Sequence, residues 1–258
     1  MEDVVVLWDE KVTLRDPVLV EGLPGVGNVG KLAADYLKDT LKAKHLATFY
    51  SKYFPPQVYV NEEGVIRLVS NDLYYVKGGR APARDLLILV GDYQGLSPEG
   101  QYELTDRVLR AAKEFGVREL YTLAGFAQGK LVEAPRVLGA ATSQDRVEAM
   151  KPLGVVFSRT DPGGGLLGAS GLFLGLGRLY GMEGVCLMGE TSGYFVDPRS
   201  AEAVLRVLSQ VLQRPIDLSA LESKAKEIDR IAAKFREMEG KPSPEAPAQA
   251  REDLGYIG

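Results

Sequence analysis

The chain has 258 residues, of which 45% are hydrophobic and 26% are charged, and its net charge is −4. This size and composition predict one globular domain with a sizeable core, and the mild acidity without a basic stripe argues against nucleic acid as a partner. A single cysteine, Cys186, and a single histidine, His45, argue against a disulfide framework, a metal cluster and a Cys–His catalytic pair.

Apolar runs of strand length and helical patterns alternate from the N-terminus onward. The run "PVLVEG" predicts a strand, followed by a helix from about Gly27 to Leu41. "KHLATFYS" predicts a second strand, and "PPQVYV", "GVIRLVS" and "DLYYVK" predict a hairpin or meander. "DLLILVGD" is continuously apolar, as in a strand whose sheet is covered on both faces. Ser97 caps a helix that runs from Pro98 to about Phe115.

The alternation continues towards the C-terminus. "VRELYTLAGF", "LGVVFS" and "GVCLMGE" predict three more strands, and Asp197 caps a helix that reaches about Gln213. Gly171 and Gly175 stand four residues apart on a predicted helix, which indicates close packing of that helix face. We therefore predict an α/β domain over residues 1–216, with a largely parallel central sheet flanked by helices. Ligands of such sheets bind beyond the carboxyl ends of the strands.

The C-terminal part differs in kind. Residues 217–240 predict one amphipathic helix, with apolar positions at Leu218, Leu221, Ala225, Ile228, Ala232 and Phe235. Ser219 and Glu222 predict a capping box at its start. The apolar stripe requires a partner surface, either in its own domain or in another subunit. Residues 241–258 predict a flexible linker rich in proline and alanine that ends in a short recognition peptide.

Two features predict a soluble, cytoplasmic protein without a membrane partner. Residues 1–9 are acidic and have the pattern of folded structure rather than of a signal peptide. The longest apolar stretch, from Gly165 to Gly177, is too short to span a bilayer and is followed by Arg178.

The stretch "GLPGVGNVGKL" satisfies two nucleotide-binding patterns. A triphosphate loop needs a hydroxyl after its lysine, where this chain has Leu32, and the second strand lacks the acid that would hold a ribose. We therefore predict a structural turn in which Gly30 lets the helix pack closely on the sheet. Binding of a small anion by the loop around Gly25, Gly27 and Asn28 is the alternative. We expect no cofactor.

The loop "GETSGYFVDP" places Glu190, Thr191 and Ser192 just beyond a buried strand. Two interpretations stay open: these side chains help to bind a ligand, or they satisfy loop amides before the next helix. No arrangement of residues predicts a catalytic centre or a metal site.

Six motifs occur together and in order: "GLPGVGNVGKLAADYL", "YFPPQVYV", "LVGDYQ", "YELTDRVL", "GASGLFLGLG" and "GETSGYFVDP". This combination resembles archaeal members of the proteasome assembly chaperone family, over about residues 14–237. The resemblance implies a single α/β domain similar in layout to nucleoside phosphorylases. It also implies a non-enzymatic chaperone that self-associates, alone or with a paralogue, and binds α-type subunits of the proteasome core particle.

The end of the chain carries a second, partial likeness. Proteasome-binding partners often end in an apolar residue, a tyrosine and one further residue, whereas in "LGYIG" the tyrosine is third from last. From this likeness we predict that Leu254, Tyr256, Ile257 and the carboxylate of Gly258 bind the partner on a flexible tether. The rival hypothesis is a protein or enzyme that binds a nucleotide, nucleoside or phosphate in a pocket at the strand tips.

Overall fold

A computed structural model describes residues 2–79, 83–158 and 165–227. Its strands are β1 (Val4–Trp8), β2 (Val18–Gly22), β3 (Lys44–Ser51), β4 (Val58–Val60), β5 (Ile66–Leu68), β6 (Asn71–Val76), β7 (Leu86–Gly91), β8 (Glu119–Ala127), β9 (Val137–Ala141), β10 (Val155–Val156) and β11 (Glu183–Thr191). Its helices are α1 (Val29–Thr40), α2 (Pro98–Glu114), α3 (Gln144–Met150), α4 (Ala169–Leu179) and α5 (Pro198–Val211). Residues 219–227 are also helical and are called α6.

Nine strands form one sheet in the order β1-β3-β6-β7-β2-β8-β11-β9-β10. The central strands β7, β2, β8 and β11 are parallel, which confirms the predicted α/β class and its parallel centre. The sheet is mixed at its flanks, because β1, β3 and β6 join in antiparallel fashion on one side and β9 does so on the other. The remaining two strands, β4 and β5, form a separate hairpin.

Helices cover both faces of the central sheet. One apolar cluster joins α2 and α4 to the sheet, and a second joins α1 and α5 to the opposite face. Every residue of β7 is therefore buried, as its continuous apolar sequence predicted. The helix starts also follow from the sequence, because the side chains of Ser97 and Asp197 accept backbone hydrogen bonds from Gly100 and Ser200.

The start of the C-terminal helix packs on its own domain. Leu218 and Leu221 belong to the cluster on the α1 and α5 face. The predicted capping box is wrong, because α6 begins at Ser219 and the Asp217 carboxylate accepts the Ser219 N–H at 3.0 Å. Glu222 instead pairs with Arg206 at 2.7 Å. Three further apolar positions of the stripe, and the linker and tail, lie outside the described residues: Ile228, Ala232 and Phe235, and residues 241–258.

Two other predictions need correction. Gly175 does not mark close packing, since a Cβ added there would meet nothing within 4 Å. The closely packed glycines of α4 are Gly171, against the carbonyl of Leu166, and Gly177, against the side chain of Leu120. The segment "LGVVFS" forms only the two-residue strand β10, and the strand β9 beside it was missed.

Candidate functional site

The loops that follow the central strands meet at one edge of the sheet, which we call the carboxyl edge. Because β2, β7, β8 and β11 are parallel, the residues after each of them lie there: 23–28, 92–97, 128–136 and 192–197. The strand β3 also ends at this edge, since two antiparallel steps through β6 relate it to β7. The β4–β5 hairpin follows β3 and therefore extends from the same edge.

The structure brings the two predicted loops into contact. Gly27 and Asn28 both adopt left-handed backbone angles, with φ of 59° and 50°. A Cβ on Gly27 would lie 2.8 Å from the hydroxyl of Thr191, so the loops meet too closely for a side chain at this position. The N–H of Asp197 donates to the carbonyl of Gly27 at 3.0 Å. The first loop therefore serves as a structural turn that docks on the second.

The predicted position of two of these residues needs correction: Glu190 and Thr191 are the last residues of β11, and only Ser192 lies in the loop after it. The polar side chains of all three are bound by other groups of the protein. The buried Glu190 carboxylate accepts hydrogen bonds from the Gln128 amide at 2.8 Å and from the backbone N–H of Arg136 at 3.1 Å. The Arg136 side chain also binds this carboxylate, and it holds the pKa of Glu190 below its usual value against the opposing effect of burial. Sequence reasoning missed Arg136, which lies 54 positions away along the chain.

The hydroxyls of Thr191 and Ser192 and the backbone N–H of Asn28 also have protein partners. Thr191 and Ser192 accept from the N–H groups of Gly193 and Tyr194 at 3.4 and 3.3 Å. The N–H of Asn28 donates to Gly25 at 2.9 Å, within the turn. These contacts favour the interpretation that the side chains satisfy loop amides, while binding of a ligand by Gly25, Gly27, Asn28, Glu190, Thr191 or Ser192 stays a prediction.

We expect a thermal-shift screen with phosphate, nucleosides and nucleotides to leave the melting temperature of this protein unchanged. The Glu190 carboxylate and the Thr191 and Ser192 hydroxyls already have protein partners, so a ligand would have to displace them. A ligand present at a hundred times its dissociation constant would stabilise the native state by about 2.7 kcal/mol. That gain corresponds to about 5–10 °C for a domain of this size. A saturable rise of that order, lost in Thr191→Ala, would instead favour the small-molecule hypothesis.

Large apolar side chains are exposed along the carboxyl edge. Those on its loops are Val26, Leu96, Leu131, Tyr194, Phe195 and Val196, and those on the hairpin and the turn between its strands are Val58, Tyr59, Val60, Val65, Ile66 and Leu68. Val26 lies beside Gly193, so the first and last of these loops form one continuous patch. Contiguous exposed apolar patches often mark sites of protein–protein interaction, whereas single exposed apolar residues are common on any protein.

A buried carboxylate lies just below this edge. Strand register places Glu21 beside Thr122, and Thr122 beside Cys186, with all three fully buried. Glu21 accepts hydrogen bonds from the N–H of Leu23 at 3.0 Å and the hydroxyl of Ser170 at 3.3 Å. Burial raises the pKa of Glu21 to about 7, although both hydrogen bonds oppose the shift. Burial likewise raises the pKa of Cys186 to about 12, so this thiol is an inert core residue.

Replacing Glu21 by Gln should flatten the pH dependence of stability. The folded protein holds the Glu21 proton with a pKa of about 7, against 4.5 for an ordinary glutamate, so its free energy of unfolding falls as the pH rises through this window. The loss amounts to about 3 kcal/mol by pH 8. Urea denaturation at pH 5 and pH 8 should therefore show that the free energy of unfolding of Glu21→Gln rises relative to that of wild type only at the higher pH.

Glu190→Gln is the matched control for this experiment. The pKa of Glu190 is lowered rather than raised, so this group is ionised in both states above pH 5 and its removal should cost the same stability at both pH values. An equal effect of Glu21→Gln at pH 5 and pH 8 would contradict the assignment of a protonated Glu21.

These observations define the class of protein. It is a layered α/β domain in which the two candidate ligand-binding loops contact each other, and its carboxyl edge exposes apolar side chains. The sequence matches the PAC2 family over residues 19–236, and the chain belongs to that family. It is 39% identical over 247 residues to an uncharacterized protein of Methanocaldococcus jannaschii, covering 95% of this chain and 93% of that protein.

Two solved structures from Pyrococcus furiosus are similar to this chain over most of its length. One is PbaB, an archaeal proteasome activator, with 40% identity and a TM-score of 0.86, covering 92% of this chain and 100% of that chain. The other is PbaA, an archaeal homolog of proteasome-assembly chaperone, with 25% identity and a TM-score of 0.75. The match covers 92% of this chain and 93% of that chain. The resemblance found in the sequence motifs is therefore confirmed.

In the described part of the chain, every helix is too short or too polar to cross a bilayer. Within the same ranges, no cluster of three or more His, Cys, Asp or Glu side chains is arranged to hold a metal ion. The predicted partner-binding residues Leu254, Tyr256, Ile257 and Gly258 lie outside those ranges, so their role stays a prediction.

Proposed function

We propose that this chain is a non-enzymatic chaperone that self-associates and binds α-type subunits of the proteasome core particle. One observation carries the proposal: the chain aligns over 92% of its length, at 40% identity, with a protein described as an archaeal proteasome activator. Membership of the PAC2 family and the likeness to a proteasome-assembly chaperone homolog support the same role.

The geometry of the carboxyl edge supports contact with proteins rather than turnover of a small molecule. The Glu190 carboxylate binds the Gln128 amide, and the Thr191 and Ser192 hydroxyls bind the neighbouring backbone. The side chains left exposed there are aromatic and aliphatic, such as Tyr194 and Phe195. Such residues supply most of the binding energy in protein interfaces.

The tail supplies the second element of the proposal. The 18 residues after Gly240 reach at most about 60 Å when extended and about 24 Å as a coil. Within this distance of Gly240, Tyr256 and Ile257 can bind a groove on the partner as apolar anchors. If several copies associate, several tails engage one ring of α-type subunits and strengthen binding through effective concentration.

A pull-down with recombinant archaeal α-type subunits tests this proposal. The tagged full-length chain should retain α-type subunits and should not retain β-type subunits of the same particle, which serve as the control. Retention of neither class would contradict the proposal.

Activation of the assembled particle is a second candidate function, favoured by the higher similarity to PbaB than to PbaA. The two roles share the binding partner and differ in the state of that partner. An activator accelerates peptide hydrolysis by the assembled core particle, whereas an assembly chaperone accelerates formation of the particle from its subunits and leaves the assembled particle unchanged. Measuring both rates with and without the chain separates the two roles.

A further inference from the structure

The central strand β2 carries a carboxyl group into the core. Glu21 stands in the otherwise apolar run "VLVEG", and its side chain is fully buried beneath the start of α4. Four groups face it, one from each element packed around it: the hydroxyl of Ser170 on α4, the hydroxyl of Thr122 on β8, the thiol of Cys186 on β11 and the side chain of Leu89 on β7. Among these four, the thiol alone titrates, and burial keeps it protonated.

These surroundings suit a neutral carboxylic acid better than a carboxylate. The oxygens of Glu21 accept from the N–H of Leu23 at 3.0 Å and from the hydroxyl of Ser170 at 3.3 Å. A carboxylate can accept about four hydrogen bonds, and the four groups that face Glu21 include no cation. Burying an ion without a partner costs far more than burying a neutral polar group. Once Glu21 ionises, any rearrangement that admits water to it is therefore favoured.

The first turn of α4 is the weakest part of the cover over Glu21. Its N-cap is Gly168, with φ of 86° and no side-chain cap, and the N–H of Ala169 donates instead to the Gln94 amide oxygen at 3.0 Å. Glycine in a helix interior lowers helix stability. Three of the eleven residues of α4 are glycines: Gly171, Gly175 and Gly177. The helix start therefore depends on its contacts with the body, and the bond between Ser170 and Glu21 is one of them.

The same turn is joined to the carboxyl edge. Gln94 lies in the loop after β7, and while its amide oxygen binds the N–H of Ala169, its amide nitrogen donates to the carbonyl of Pro24 at 2.7 Å. Pro24 lies in the loop after β2. A movement of the first turn of α4 would therefore release a contact that holds two loops of the carboxyl edge together.

We propose that Glu21 is a proton-controlled latch: its neutral carboxyl group holds the first turn of α4 on the sheet, and its ionisation favours an open state in which this turn leaves the sheet and water reaches the carboxylate. The inference goes beyond the proposed function and does not require that the chain binds α-type subunits. Acid closes the latch, and neutral pH loosens the carboxyl edge around Gln94.

The pKa of Glu21 sets the range over which the latch responds. It is about 7 in the closed state, whereas a hydrated glutamate in the open state has a pKa of 4.5. The closed state is therefore fully favoured below pH 4.5, loses its advantage as the pH rises to 7, and changes little above that. Between pH 5 and pH 8, this difference corresponds to about a seventyfold rise in the opening constant.

Hydrogen exchange with residue resolution on the full chain tests the proposal. The reporters are the N–H groups of Ala169 and Leu172, which donate to the Gln94 amide oxygen and the Gly168 carbonyl. After division by the intrinsic exchange rate, their opening constants should rise about seventyfold from pH 5 to pH 8. A rise below about tenfold would overturn the proposal, because the open state would then leave Glu21 buried.

Two comparisons separate the latch from unfolding of the whole chain. Low urea should speed exchange in the buried strand β7 but not at Ala169 and Leu172, because a local opening exposes little surface. In Glu21→Gln the opening constants should be equal at the two pH values, whereas the control Glu190→Gln should keep the wild-type rise. The same urea dependence at α4 as at β7, or an undiminished rise in Glu21→Gln, would overturn the proposal.

Labelling of the native cysteine covers the case in which Glu21→Gln fails to fold. Cys186 is the single cysteine and lies beneath α4 beside Thr122, so it reports the opening in the wild-type chain. Its rate of reaction with a dipyridyl disulfide is divided by the rate for the urea-unfolded chain at the same pH. This ratio should rise at least about tenfold from pH 5 to pH 8 and should be insensitive to low urea. A ratio that stays constant with pH would overturn the proposal.

Discussion

Deleting residues 254–258 should weaken binding to α-type subunits at least about a hundredfold. Tyr256 and Ile257 are the proposed anchors of the tail, and truncating an anchor in a buried pocket costs about 2 kcal/mol or more. Each 1.4 kcal/mol is a factor of ten in affinity, so loss of two anchors exceeds a hundredfold for a single tail. If several tails bind one ring together, the loss is larger, because the avidity disappears with the anchors.

Affinity measured by biolayer interferometry on immobilised α-type subunits checks this result. Tyr256→Ala alone should weaken binding about thirtyfold. Gln249→Ala is the matched control, since it lies in the same segment but outside the apolar end, and it should bind like wild type. Unchanged affinity in the deletion would remove the tail from the mechanism and leave the carboxyl edge as the binding surface.

Replacing Gly30 by Ala should destabilise the fold by about 3 kcal/mol or more. A Cβ on Gly30 would lie 2.0 Å from the carbonyl oxygen of Leu123, which belongs to the central strand β8. Neither backbone can move without breaking hydrogen bonds of the sheet or of α1. Overpacking of this kind costs 1–3 kcal/mol in well-packed cores, and here the obstacle is backbone rather than a flexible side chain.

Gly175→Ala is the matched control for this substitution. Gly175 lies inside α4 with nothing within 4 Å of an added Cβ, so alanine should stabilise the helix by about 0.5–1 kcal/mol. Urea denaturation of both variants gives the two free energies of unfolding. Equal stability of Gly30→Ala and wild type would contradict the close contact of α1 with β8.

The local features of this fold were predictable from the sequence because short-range physics determines them. Continuous apolar runs predicted the buried strands. Serine and aspartate are common at helix starts, and the side chains of Ser97 and Asp197 accept backbone hydrogen bonds there. The role of Gly30 was also predictable, since a glycine near a helix start facing a strand usually relieves a steric conflict.

Features that depend on distant partners were not predictable from one sequence. The choice between Gly175 and Gly177 as the packed glycine depends on where Leu120 lies. The strand β9 inserts beside β11 in antiparallel fashion, and no local pattern marks that insertion. The ion pair of Glu190 with Arg136 likewise joins the end of β11 to the loop after β8, and the two residues are far apart in the chain.

The β4–β5 hairpin illustrates a further limit of sequence patterns. The alternation in Val58, Tyr59 and Val60 is the same whether the aliphatic side chains face the protein's own core or a partner. The pairing of Arg67 with Asp92 shows which face of the hairpin lies towards the body of the domain. The polar cluster around Glu190 shows the same limit. Its sequence was compatible with a ligand site, whereas in the structure the Glu190 carboxylate accepts a hydrogen bond from Gln128.

The mass of the complex formed by the full-length chain and α-type subunits tests the central claim most directly. Native mass spectrometry of an equimolar mixture should detect a species that contains several copies of the chain together with α-type subunits. Detection of only the free chain and free α-type subunits, or of α-type rings without the chain, would contradict the account.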